Sequence, residues 1–123
     1  MPMSLDRELQ KGSTAMLVLS LLSSSPMHGY QMVKEPESRS KGTLTFKEGT
    51  LYPILHTLEK EGLIVAQWES DGGRERKVYQ LSDQGQGELR RRTAEWEAFR
   101  SAVDGVVQGG ASFTNYVRNS CDM

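Results

Sequence analysis

A chain of 123 residues, 37% hydrophobic and 25% charged, can bury one modest core and has no room for a second independent domain beside it. With 15 basic against 16 acidic residues the formal net charge is −1, so the strongly basic footprint of many nucleic-acid binders is absent and any such activity must come from how the charges are arranged. A single cysteine, Cys121, excludes an internal disulfide framework, and with His28 and His56 as the only histidines no metal site or cofactor is expected.

Residues Ser4 to about Leu22 read as a first helix, with Ser4 in the N-cap region and Leu5, Leu9, Met16 and Leu17 near helical spacing. The apolar run Met16–Leu22 is only 7 residues long, too short to cross a bilayer. No basic segment with a small-residue cleavage site precedes it, so no membrane association is expected and a cytoplasmic protein is. Ser23-Ser24-Ser25-Pro26 ends this helix, because serines compete for backbone hydrogen bonds and proline cannot continue the ladder.

A second helix is expected from about Met27, with Tyr30 in the core. Pro36 should end or bend it, at a cost of ~3 kcal/mol for an interior position. Thr43–Phe46 then reads as a short extended stretch, and a third helix runs from about Lys47 to Glu61, closed by Gly62. On this helix Leu51, Ile54, Leu55 and Leu58 form one stripe. Gly49, Pro53, His56 and Lys60 point the opposite way, with Tyr52 and Thr57 on the flanks.

Leu63–Glu69 and Arg76–Leu81 are strand-like runs around Ser70-Asp71-Gly72-Gly73, a strong hairpin signal. Ser82 or Asp83 caps a long fourth helix, in which Leu89, Trp96, Phe99, Val103 and Val106 step by 7, 3, 4 and 3 residues. Such a seam on a projecting helix needs a second chain to cover it, so these five residues are assigned to a homodimer interface, together with Leu5 and Leu9. From Gln108 to Met123 the chain is polar and reads as a loose tail.

Three helices followed by a hairpin is the order of a winged helix-turn-helix, giving a mainly α fold with a small β-hairpin. The expected organisation is a winged helix-turn-helix over residues 1–81, a dimerisation helix over 82–108 and a flexible tail over 109–123. A helix laid in the DNA major groove must bury one stripe and present polar, small or aromatic groups on the other, which the third helix does. Lys47, Thr50, Tyr52, Pro53, His56, Thr57 and Lys60 are therefore candidate DNA contacts. Arg74, Arg76 and Lys77, around the hairpin turn, can reach phosphates or the minor groove beside it. An exposed arginine in a hairpin is ordinarily just a solvated charge; it is the neighbouring helix that argues otherwise.

Several segments carry a resemblance to a known family. They are Pro26-Met27-His28-Gly29-Tyr30, Glu48-Gly49-Thr50-Leu51-Tyr52-Pro53-Ile54-Leu55, Leu58-Glu59-Lys60-Glu61-Gly62-Leu63-Ile64, Gly73-Arg74-Glu75-Arg76-Lys77-Val78-Tyr79-Gln80-Leu81 and Ser82-Asp83-Gln84-Gly85. In order and spacing they resemble the PadR family of regulators, over roughly Leu5 to Val107. The resemblance implies that Gly49–Pro53 opens a recognition helix, that the hairpin with Arg76 and Lys77 is a wing, and that the chain is a repressor acting on a double-stranded operator. Thr57 stands where the family carries a basic residue, and Pro36 where it carries an apolar one. The short C-terminal part resembles the branch with a single dimerisation helix, some of whose members hold planar drugs between paired tryptophans. That implies a planar aromatic or phenolic effector at Trp96, with an interface anchor as the plainer role for the same ring.

The chain has no credible nucleophile and base pair, no Walker loop and no paired carboxylates, so an enzyme is not expected; Asp71-Gly72-Gly73 is turn chemistry. The alternative from another class is a winged-helix protein-interaction module without specific DNA binding, which the balanced charge favours.

Overall fold

The computed structural model describes residues 7–111, with side chains from Ser13 to Gly109. In chain order it contains α1 (Arg7–Ser24), β1 (Met27–His28), α2 (Gly29–Arg39), α3 (Glu48–Lys60), β2 (Ile64–Asp71), β3 (Arg74–Leu81) and α4 (Asp83–Ala111). The expected cap at Ser4, the interface residue Leu5, the Leu9 side chain and Cys121 lie outside the described residues. Two compact units divide between Arg90 and Arg91, inside α4.

The first unit is built around the apolar half of α1. Val18 and Leu19 are fully buried and Leu21 and Leu22 nearly so, because this stretch packs on the sheet and on both neighbouring helices. Met32 from α2, Leu51, Leu55 and Leu58 from α3, and Ile64, Tyr79 and Leu81 from the strands complete one core, with Ile54 and Leu89 packed at its edge. The stripe read from the third helix is thus the buried one.

The sheet is antiparallel in the order β1-β3-β2. Glycines at 72 and 73, with φ of +59° and +84°, form a two-residue turn of the kind that matches strand twist. Pairing then runs from Asp71↔Arg74 to Ile64↔Leu81 without interruption. Successive side chains alternate faces, so Ile64, Ala66, Tyr79 and Leu81 turn to the core while Arg74, Arg76 and Val78 turn away.

Two helix ends are closed by hydrogen bonding that local sequence makes possible. At the end of α3 the Leu63 amide donates to the Leu58 carbonyl and the Gly62 amide to that of Glu59, with Gly62 at φ +78°. The next helix starts on the same spot: Ser82 Oγ accepts from the Gly85 amide and donates to the Gly62 carbonyl, and the Ser82 amide donates to Leu63.

Four expectations are corrected. Met27 and His28 do not begin a helix; they pair with Tyr79 and Val78 as a third strand. The second helix runs through Pro36 to Arg39, because the ring is buried and only one carbonyl, that of Met32, loses its helical donor. Tyr30 is 58% exposed, since the buried face of α2 is carried by Gly29, Met32 and Pro36 instead. At the other end α4 continues to Ala111, past the expected limit at Gln108.

Candidate nucleic-acid interface

α3 turns its polar side to solvent. Lys47, at the N-cap, is exposed, as are Thr50, Tyr52, Pro53, His56, Thr57 and Lys60, while Leu51, Leu55 and Leu58 are buried behind them. The Thr57 hydroxyl donates to the Pro53 carbonyl one turn back at 3.0 Å, so Thr57 faces solvent mainly as an acceptor. Pro53 has no amide to offer Gly49, whose carbonyl lies on the exposed side and can be hydrated.

On the wing Arg74 and Arg76 are exposed and, among the described residues, neither is ion-paired. Lys77 differs from them. It lies on the inner face, 3.1 Å from Glu59 Oε1 near the end of α3, with its ammonium 5.4 Å from the Tyr79 ring centroid. The hydrogen bond it donates to Glu59 holds the Lys77 ammonium above the usual lysine range, and burial pushes the Tyr79 phenol up. One wing cation therefore ties the wing to α3, while Arg74 and Arg76 carry no ion pair among the described residues.

Between the start of α2, the outer side of α3 and the wing, with residues of both sheet faces in its lining, lies an open cleft of about 670 Å³. Its walls are the rings of Tyr30, Tyr52, Trp68 and Tyr79, and Arg74, Arg76 and Lys77 stand along it. At its base Gly29 touches Tyr52 so closely that a β-carbon there would stand 2.5 Å from the tyrosine hydroxyl oxygen. Arg76 Nη1 lies 3.4 Å from His28 Nε2, bridging β3 to β1. Sequence reasoning leaves out His28, Gly29 and Trp68. The signal for Trp68 is its place two residues beyond Ile64 and Ala66 on one strand face, where core cover has ended.

The second unit carries Trp96, Phe99, Val103 and Val106, exposed by 40, 50, 40 and 78%, with the Trp96 and Phe99 ring centroids 6.0 Å apart. Leu89 belongs to the first unit, where it packs against the core. Among the described residues no group of three or more His, Cys, Asp or Glu could hold a metal ion, and no helix is long and apolar enough to cross a membrane.

A winged helix-turn-helix with this polar helix and basic hairpin has known counterparts. The sequence pattern of the PadR-like transcriptional regulators matches residues 18–91. The chain belongs to this family. The transcriptional regulator Rv3488 of Mycobacterium tuberculosis is 32% identical over 108 residues, covering 88% of this chain and 94% of that protein. A crystal structure of a PadR family transcriptional regulator from Eggerthella lenta has a TM-score of 0.71 at 34% identity, covering 82% and 87% of the two chains. A transcriptional regulator from Clostridium thermocellum superposes with a TM-score of 0.74 at 25% identity, over 79% and 95%. Membership makes the chain a PadR-like winged-helix regulator of transcription, with the long C-terminal helix of that fold.

Proposed function

We propose that this PadR-like chain is a homodimeric repressor that places α3 in the major groove of a double-stranded operator and the wing alongside it. The observation that carries the reading is the shared orientation of two features in one unit. Tyr52, on the exposed side of α3, and the cations Arg74 and Arg76 line the same cleft, so a single duplex can meet helix and wing together. Tyr52, Thr50, His56, Thr57 and Lys60 then face base edges and nearby phosphates, Lys47 and Pro53 flank the helix start, and Lys77 acts through Glu59.

Dimerisation is supported by the apolar strip of the second unit, since rings and valines this exposed at helical spacing are covered by a partner in stable proteins. Trp96, stacked near Phe99, then serves as an anchor between subunits and as the contact for a planar aromatic effector. Bound there, such a compound alters the separation of two recognition helices that adjacent half-sites set at ~34 Å.

The test is binding of the duplex upstream of the chain's own gene across a salt series. Affinity is expected to fall steeply with salt, and less steeply when Arg74, Arg76 and Lys77 are replaced together by alanine, because fewer phosphate counterions are released. Sedimentation of wild type and of Trp96→Ala tests the dimer, and titration of tryptophan emission with planar aromatics tests the effector. Absence of duplex binding at every salt concentration selects the protein-interaction module, the reading favoured by the net charge of −1.

A further inference from the structure

Trp68 is 67% exposed, the most open aromatic ring of the first unit. It continues the inner face of β2 from Ile64, which is buried, through Ala66, which is half-buried, and it stands opposite Lys77 in register. A bare indole contributes nothing to the core at this position, and exposed aromatic surface favours association, so the fold alone gives no reason for it. Tyr52 forms another wall of the same cleft, 45% exposed and seated on Gly29.

The basic side of the cleft has an equally specific arrangement. Glu69 is the direct cross-strand neighbour of Arg76, yet no ion pair joins them among the described residues, and the guanidinium instead lies 3.4 Å from His28 Nε2. Two nitrogen groups from different strands thus converge with no carboxylate between them. None of the residues lining the cleft is acidic, and Glu59 is engaged by Lys77.

We propose that this cleft seats one deoxyribose–phosphate unit of a DNA strand, with the sugar against Trp68 and Tyr52 and the phosphate on Arg76, which His28 holds in place by accepting from its guanidinium. The proposal rests on the duplex-binding reading above and adds Trp68 and His28 to it. Sugar carbons want an apolar wall and a phosphodiester wants a cationic donor; the lining of the cleft includes both kinds of residue, which neither a free anion nor an apolar compound requires. Arginine presents a donor fork suited to two phosphate oxygens. Because His28 Nε2 of β1 accepts from the Arg76 guanidinium of β3, the cation is held in place where it meets the phosphate, which sets the register of the protein along the duplex without reading sequence. The cleft is open along its length, as a continuing polymer strand demands.

Wild type, Trp68→Leu and His28→Ala are titrated with a fluorescently labelled duplex from upstream of the gene and with an unrelated duplex of equal length. Each variant is expected to lose about tenfold in affinity for both duplexes alike, the scale of one charge-assisted or stacking contact. Far-UV circular dichroism keeps folding in view, and His28→Leu, which cannot accept from Arg76, replaces His28→Ala if that variant unfolds. Binding within about twofold of wild type in either variant overturns the seat. A loss confined to the upstream duplex overturns it too, since that pattern marks base readout. Failure of the wild type to bind either duplex strikes the DNA reading itself, a different result from failure of the variants to differ.

Discussion

A β-carbon at position 29 would meet the end of the Tyr52 side chain, a group that can swing away, and would meet no backbone. Gly29→Ala is therefore expected to cost about 1 kcal/mol of stability or less, yet to move Tyr52 off its seat. Duplex affinity should fall as far as it does for Tyr52→Ala; urea denaturation and a binding titration, run on both variants, check the two halves of this expectation. Lys77 and Tyr79 carry a second prediction. Both hold their protons more tightly when folded, the lysine through its bond to Glu59 and the tyrosine through burial. Above about pH 10 the unfolded chain releases these protons first, so the stability they contribute is complete below that pH and is lost as pH rises through the raised values. Thermal unfolding between pH 8 and 11 should show this decline, and Glu59→Gln should make it shallower, because the lysine shift depends chiefly on that carboxylate.

Helix α3 and the hairpin were legible from residues alone, because each is specified within its own span: a period of 3.6 in one, a glycine pair between alternating runs in the other. β1 was not. Met27 and His28 are strand only because Tyr79 and Val78, some fifty residues later, offer hydrogen bonds to them. Pro36 was misjudged for a related reason, since local sequence prices the lost hydrogen bond and cannot see that the ring is buried. The polar side of α3 could be read in advance, but the cleft could not, as it draws His28, Tyr52, Trp68 and Arg76 from four separate elements. The junction of α3 and α4 is the element whose failure should be plainest. A β-carbon on Gly85 would lie 2.0 Å from the Leu63 carbonyl oxygen and 2.7 Å from Leu81 Cδ1, and the first of these is backbone. Gly85→Ala should destabilise by about 3 kcal/mol, read as a lower urea midpoint at unchanged slope.

Taken as a whole, the molecule is nearly neutral, and its function as a regulator depends on segregating charge instead of accumulating it: Glu59 absorbs one wing cation while Arg74 and Arg76 stay open. The same sheet has another side to consider. β2 is outermost in the order β1-β3-β2, so along its eight residues one row of backbone donors and acceptors has no neighbouring strand in the first unit. An edge of that length, bearing exposed Val65 and Trp68, is a template on which a stray copy could polymerise. Glu69 and Asp71, at the far end of the strand, act as gatekeepers by placing like charges where two such edges would meet. Replacing both with valine should leave the monomer folded but turn concentrated solutions cloudy, a rise in light scattering that added salt cannot abolish. A binding hairpin has to keep its surface open for DNA, and colloidal restraint of this kind is what that openness demands.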